Sequence, residues 1–195
     1  MSSKQELWLV RHGETAWSLS GQHTSRTDLA LTAAGESRAI EIGERLRGKQ
    51  FALVLASPMK RAMETARLAG FTPEVEENLR EWDYGEYEGM TTEEIQKTDP
   101  GWTIWTKTPK GGETGSQVAA RADRVIARAM AANGDTVVFG HGHMLRVLAA
   151  RWVGLEAQGG RYFALSAGGV SVLGAERENP VVRLWNETGA FNGRR

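Results

Sequence analysis

The 195-residue chain carries 24 basic and 24 acidic side chains, and 41% of its residues are apolar. Zero net charge recommends neither nucleic acid nor an anionic membrane as a partner, and no apolar run approaches the ~20 residues that span a bilayer. The absence of cysteine removes disulfides, thiolate metal sites and cysteine nucleophiles together, and is compatible with the cytoplasm.

Taken in chain order, a polar start (Met1–Glu6) without the longer apolar core of a signal peptide leads into a strand over 6–10. A helix over 32–47, a strand over 51–56, a helix over 58–69 and a weak strand over 74–77 follow. Helices are expected over 91–98, 114–132 and 143–153, with strands over 136–140, 170–174 and 181–186. In 114–132, Val118, Val125, Ile126, Ala129 and Met130 recur at helical spacing, and Asn133-Gly134 supplies a stop. Strands spaced by crossover helices imply βαβ units. The expected fold is therefore α/β: a single domain over 1–195, with a mostly parallel sheet between two helical layers. The stretch 98–116, with two prolines and four glycines, reads as part of a lid running over about 82–116.

Three of the four histidines lie at strand ends; His23 does not. Arg11-His12-Gly13-Glu14-Thr15 follows Leu7–Val10, and Gly140-His141-Gly142-His143 follows Thr136–Phe139. In open α/β sheets ligands bind outside the carboxyl ends of strands, and histidine is readily poised for nucleophilic or acid–base work near neutral pH. A third strand end carries Ser57-Pro58-Met59-Lys60-Arg61. Ser57 is a suitable N-cap and Pro58 a suitable first helical residue, which puts Arg61 in a first turn where anions are favoured. Arg11, His12, Arg61 and His141 together have the makings of a phosphate cradle with a built-in nucleophile. Zinc accepts imidazole, but His141 and His143 supply only two ligands with no evident third, so no metal is expected. His23 and His143 are assigned to surface or supporting positions.

Phosphoryl transfer to histidine needs a proton for the departing oxygen. Glu81, Asp83, Glu86 and Glu88 all lie in the run Leu79–Gly89. Glu81 sits beside Trp82 and near Tyr84, an apolar setting that suits a general acid, yet the residues alone leave all four open.

Arg11-His12-Gly13-Glu14-Thr15, Ser57-Pro58 with Arg61, Leu79-x-Glu81 with Gly85 and Glu88-Gly89, and Gly140-His141-Gly142 resemble, in order, the motifs of the histidine phosphatase superfamily. Trp17, Gly21, Asp28, Leu31-Thr32 and Gly35 fit the same pattern. The branch is the one that includes cofactor-dependent phosphoglycerate mutase, and the run Glu81-Trp82-Asp83-Tyr84-Gly85 is similar to small acid-phosphatase-like members. The resemblance implies that His12 carries the phosphoryl group and that Arg11, Arg61 and His141 hold its oxygens. It also implies Glu81 as the acid and then the base for water, with no metal and no cofactor. Ser18 stands where many mutases carry asparagine, which bears on substrate fit. Ser18, Thr24, Ser25, Trp82, Tyr84 and Gly142 are the candidate substrate contacts.

Residues 82–112 hold six acids against three bases and five large aromatics, unlike a lid that must retain a highly anionic bisphosphate. Hydrolysis of a small phosphomonoester at somewhat acidic pH is therefore expected over mutase activity, or over a non-catalytic phospholigand-binding role. A homodimer is compatible with the sequence but does not follow from it.

Overall fold

In the computed structural model, which describes residues 5–189, one six-stranded sheet has the order β3-β2-β4-β1-β5-β6. Its strands are β1 (Leu7–Arg11), β2 (Leu53–Ala56), β3 (Glu74–Val75), β4 (Thr136–Gly140), β5 (Val170–Glu176) and β6 (Asn179–Glu187). β3, β2, β4 and β1 pair in parallel, whereas β5 runs antiparallel to both β1 and β6. The sheet is thus mostly parallel, as expected, with a hairpin of two longer strands at one edge.

Alternation along the central strands divides the core in two. Leu7, Leu9, Leu55, Val138 and Leu173 pack beneath α5 (Gly115–Ala131) and α6 (Gly142–Trp152). Val10, Ala56, Val137, Phe139 and Val170 face the opposite way, against Ile42 of α2 (Ala33–Arg45) and Ala66 of α3 (Lys60–Leu68). Apolar side chains point to both faces because helices cover both, as parallel strands require.

Three local features differ from expectation. A short helix, α1 (Ala16–Ser20), was not foreseen. It is closed by a capping box in which Thr15 Oγ1 accepts from Ser18 N and Ser18 Oγ accepts from Thr15 N. The helix expected from 58 starts instead at Lys60, with Met59 at its N-cap and no cap from its own side chain. The Ser57 hydroxyl lies 2.7 Å from His141 Nε2, and the Lys60 N–H finds Asp28 Oδ1 at 2.8 Å. A carboxylate from a distant loop thus caps α3, and Ser57 serves the strand-end cluster. The weak strand expected over 74–77 shortens to Glu74–Val75, because Glu77–Leu79 forms a 3₁₀ turn. α4 (Thr92–Thr98) begins within one residue of expectation, and neither helix nor strand occurs between it and α5.

Candidate active site

Strand register brings the cluster together. Arg11 pairs with Gly140 across β1 and β4, and Ala56 with Phe139 across β2 and β4. The next residues, His12, His141 and Ser57, are therefore neighbours at adjacent carboxyl ends. The His12 N–H donates to Gly140 O at 2.9 Å and the Ser57 N–H to Phe139 O at 2.9 Å, and the two imidazoles meet edge to face, centroids 5.2 Å apart.

His12 is buried, with Nδ1 2.7 Å from Gly13 O. A carbonyl only accepts, so Nδ1 carries the proton and Nε2 keeps its lone pair. Burial first, then the charges of Arg11 and Arg61, hold the imidazole pKa well below its usual 6.5. His141 is also buried. Its Nδ1 accepts from Arg61 Nε at 3.2 Å, so Nε2 donates to Ser57 Oγ, and burial and Arg61 likewise hold it neutral.

Arg11 is the unsatisfied member. One Nη1–H reaches Leu165 O, while its buried Nε has no partner, an arrangement costly unless a ligand supplies the acceptor. Gly142 lies against it: a Cβ there would be in ordinary van der Waals contact with Arg11 Cζ, at 3.4 Å. Arg61 is fully buried. It donates to Thr27 O, Thr24 O and Ser25 O at 3.0, 3.3 and 3.2 Å, which with the His141 bond leaves one Nη1–H of its five.

Glu81 lies on the wall of a cavity of about 160 Å³ shared with Arg11, His12 and Gly142. Its Oε1 accepts from Trp82 N and Met144 N, both at 2.8 Å, and its Oε2 from His143 N at 3.0 Å. The N-terminus of α6 thus clamps this carboxylate. From behind, Arg121 of α5 donates to Asn78 O and Arg80 O at 2.7 and 2.8 Å and fixes the preceding turn. The three rival acids are committed elsewhere. Asp83 accepts from Gly85 N and pairs with Arg26, Glu86 pairs with Lys110, and Glu88 binds Ser25 and Thr27.

Of the other candidate contacts, Ser18, Thr24, Tyr84 and Gly142 line the cavity. The Ser18 hydroxyl is already engaged with Thr15. Trp82 does not line the cavity: it is a core residue whose Nε1 donates to Glu113 O at 2.8 Å. Ser25 is buried against Glu88 and also lies off the cavity wall. His23 and His143, given no direct role from sequence, both line the cavity. His143 Nδ1 lies 2.6 Å from the Tyr84 hydroxyl, and burial lowers the His23 pKa to about 4. Arg146, one turn along α6 from Gly142, was missed. It lines the cavity, lies over the Trp105 ring at 4.5 Å and donates to Gly160 O at 3.0 Å. No local signal sets it apart, because its helix also carries His143 and Arg151. Among the described residues, no group of three or more metal-binding side chains is gathered, and no helix is long and apolar enough to cross a membrane.

Residues 7–188 match the model for the histidine phosphatase superfamily (branch 1). The chain belongs to this superfamily. It is 41% identical over 175 residues to an acid phosphatase of Mycobacterium tuberculosis, covering 87% of this chain and 86% of the relative. It is 39% identical over 185 residues to a sedoheptulose 1,7-bisphosphatase of Saccharomyces cerevisiae, covering 77% and 68%. A solved structure of an open reading frame product from M. tuberculosis superposes with a TM-score of 0.91 at 38% identity, covering 95% of this chain and 98% of that one. This histidine phosphatase is a phosphomonoester hydrolase with an α/β sandwich fold.

Proposed function

We propose that the cavity takes the phosphoryl group from a small phosphorylated metabolite onto His12 and then passes it to water. One juxtaposition carries the reading: a neutral His12 with a bare Nε2 shares a cavity wall with the unpartnered Nε–H of Arg11. In the first step Nε2 bonds to phosphorus, the ester P–O bond breaks, and Glu81 gives its proton to the departing oxygen. In the second step Glu81 takes a proton from water, the water oxygen attacks phosphorus, the P–N bond breaks, and phosphate leaves. On the cavity wall Arg11 holds the charge on the non-bridging oxygens throughout. From behind the wall Arg61 has its one remaining Nη1–H to add, and His141 its Nε2–H once that turns from Ser57 to the phosphoryl group. The described residues are read as one domain with 82–116 as its lid segment, from which Tyr84 reaches the cavity wall.

Hydrolysis, not mutase chemistry, fits the cover. Lys107 pairs with Asp99 and Lys110 with Glu86 on its outer side, and no lysine lines the cavity. No lysine therefore adds to the two guanidiniums of the wall to retain a bisphosphate on the phosphohistidine enzyme. The cavity has a second guanidinium, Arg146, with no carboxylate partner among the described residues. It suits a leaving group bearing hydroxyls or a second anionic group. The name of the yeast relative, a sugar bisphosphatase, supports that class of substrate.

Two variants test these assignments. Glu81→Gln is expected to slow hydrolysis of alkyl phosphates by ~100-fold or more, but of p-nitrophenyl phosphate far less, because nitrophenolate departs without a proton. Equal losses on both substrates would remove Glu81 as the acid. Arg146→Ala is expected to raise KM for a sugar bisphosphate by ~10-fold while leaving p-nitrophenyl phosphate nearly unchanged. A uniform effect would make Arg146 a structural residue.

A further inference from the structure

Arg61 is aimed by a loop that has no regular structure of its own. Its three carbonyl acceptors belong to Thr24, Ser25 and Thr27, and the residues from Thr24 to Asp28 form neither helix nor strand. A buried guanidinium whose acceptors drift is left as an unpaired charge, which is strongly unfavourable. Something must therefore hold the loop.

That anchor is Glu88, a half-buried residue of the lid segment. Its carboxylate accepts from Ser25 N at 3.0 Å to each oxygen, from Thr27 N at 2.9 Å, and from the Ser25 hydroxyl. Next to it the two segments are zipped by backbone bonds, Gly89 N to His23 O at 2.8 Å and His23 N to Met90 O at 2.9 Å. One peptide group is shared between the two charged side chains. The Ser25 N–H donates to Glu88, and the Thr24 C=O of that same peptide accepts from Arg61 Nη2. The carboxylate and the guanidinium are thus joined through a single polarised peptide, each strengthening the other's hydrogen bond. Glu88 is not on the cavity wall, so it exchanges no proton with substrate.

We propose that Glu88 is a positioning residue for phosphate binding, acting through the Thr24–Ser25 peptide and the Thr27 N–H to aim Arg61. The proposal rests on the phosphatase reading above and adds a requirement to it: of the contacts that join the lid segment to this loop, the Glu88 carboxylate is the one that bears on the acceptors of Arg61. Glu88→Gln keeps the shape of the side chain but turns an NH₂ toward backbone N–H donors, so the loop loses its anchor.

The test is calorimetric binding of inorganic phosphate to wild type, Glu88→Gln, Arg61→Lys and the double variant, each first shown to be folded by its thermal melt. Charge-assisted hydrogen bonds of this kind predict a loss of affinity of ~10-fold or more for Glu88→Gln. KM for p-nitrophenyl phosphate should rise by a similar factor, and more than kcat falls. Because lysine cannot reproduce the guanidinium fork, Glu88→Gln should cost little further in the Arg61→Lys background, the non-additivity expected of one pathway. Should Glu88→Gln not fold, Ser25→Ala removes one of the three donors and is expected to weaken phosphate by ~3-fold. A folded Glu88→Gln, or failing that a folded Ser25→Ala, that binds phosphate as wild type does overturns the proposal, as do fully additive losses. Either result leaves the phosphatase reading intact. A wild-type protein that binds no phosphate overturns both.

Discussion

At the scale of single residues, one carbonyl decides what His12 can do. Gly13 O holds Nδ1–H, and the neighbouring guanidiniums together with burial keep the ring neutral far below pH 6.5. With p-nitrophenyl phosphate, whose leaving group needs no proton, turnover is therefore expected to hold between pH 7 and 5.5. A decline centred near 6.5 in kcat/KM would show a nucleophile with an ordinary pKa. Arg11, His12, Arg61 and His141 were legible from the sequence because each follows a strand or opens a helix, and strand ends are local patterns. His23, His143 and Arg146 were not legible as cavity residues. Their neighbours in space (Tyr84, Trp105, Gly160) lie far away in sequence, and nothing local marks a side chain that turns inward. Trp82 misled for the related reason that a tryptophan beside a candidate acid looks the same whether it faces substrate or core.

At the scale of elements, backbone contacts hold the histidine loop to α2. A Cβ on Gly13 would stand 2.4 Å from Gly35 O, and one on Gly35 2.3 Å from Glu14 O. These are backbone atoms that cannot swing aside, so Gly13→Ala must move the His12 loop or α2. It is expected to lower stability by about 1–3 kcal/mol and to reduce kcat/KM far more than a surface substitution would. A denaturant melt and a steady-state assay read the two effects. On the other side of the loop, the Gly13 N–H donates to Thr65 Oγ1 at 3.0 Å, which ties α3 to the same backbone. The end of α5 followed from apolar spacing and the Asn133-Gly134 stop, Asn133 taking a positive φ, whereas Thr114, expected inside the helix, is its N-cap. The start of α3 did not follow in that way, because its cap comes from Asp28, thirty-two positions away. Likewise α1 has no buried residue, and hence no apolar stripe to reveal it.

At the scale of the whole molecule, the same burial that keeps the histidines neutral sets a limit in acid. Burial lowers His12, His141 and His143 well below 6.5 and His23 to about 4. The unfolded chain therefore binds protons that the folded chain refuses, and stability falls as pH drops below 6.5. For His23 the loss begins near 6.5 and is complete below about 4, worth roughly 3 kcal/mol. Denaturant melts from pH 7 to 4.5 are expected to show a steady decline, shallower in His23→Gln. A flat profile would mean that these imidazoles take up protons in the folded state. The sheet itself was legible because each central strand is a short apolar run between turn residues. The antiparallel placement of β5 was not, since strand direction leaves no mark on composition.

The central claim is that His12 carries the phosphoryl group. Rapid-quench mixing with a ³²P-labelled phosphomonoester tests it most directly, with the label followed under alkaline conditions that preserve phosphohistidine. The account predicts acid-labile label on the wild-type protein, approaching one phosphate per chain in Glu81→Gln with a nitrophenyl ester, decay to inorganic phosphate, and none in a folded His12→Ala. Label that survives in His12→Ala, or turnover there above a few per cent of wild type, would contradict it.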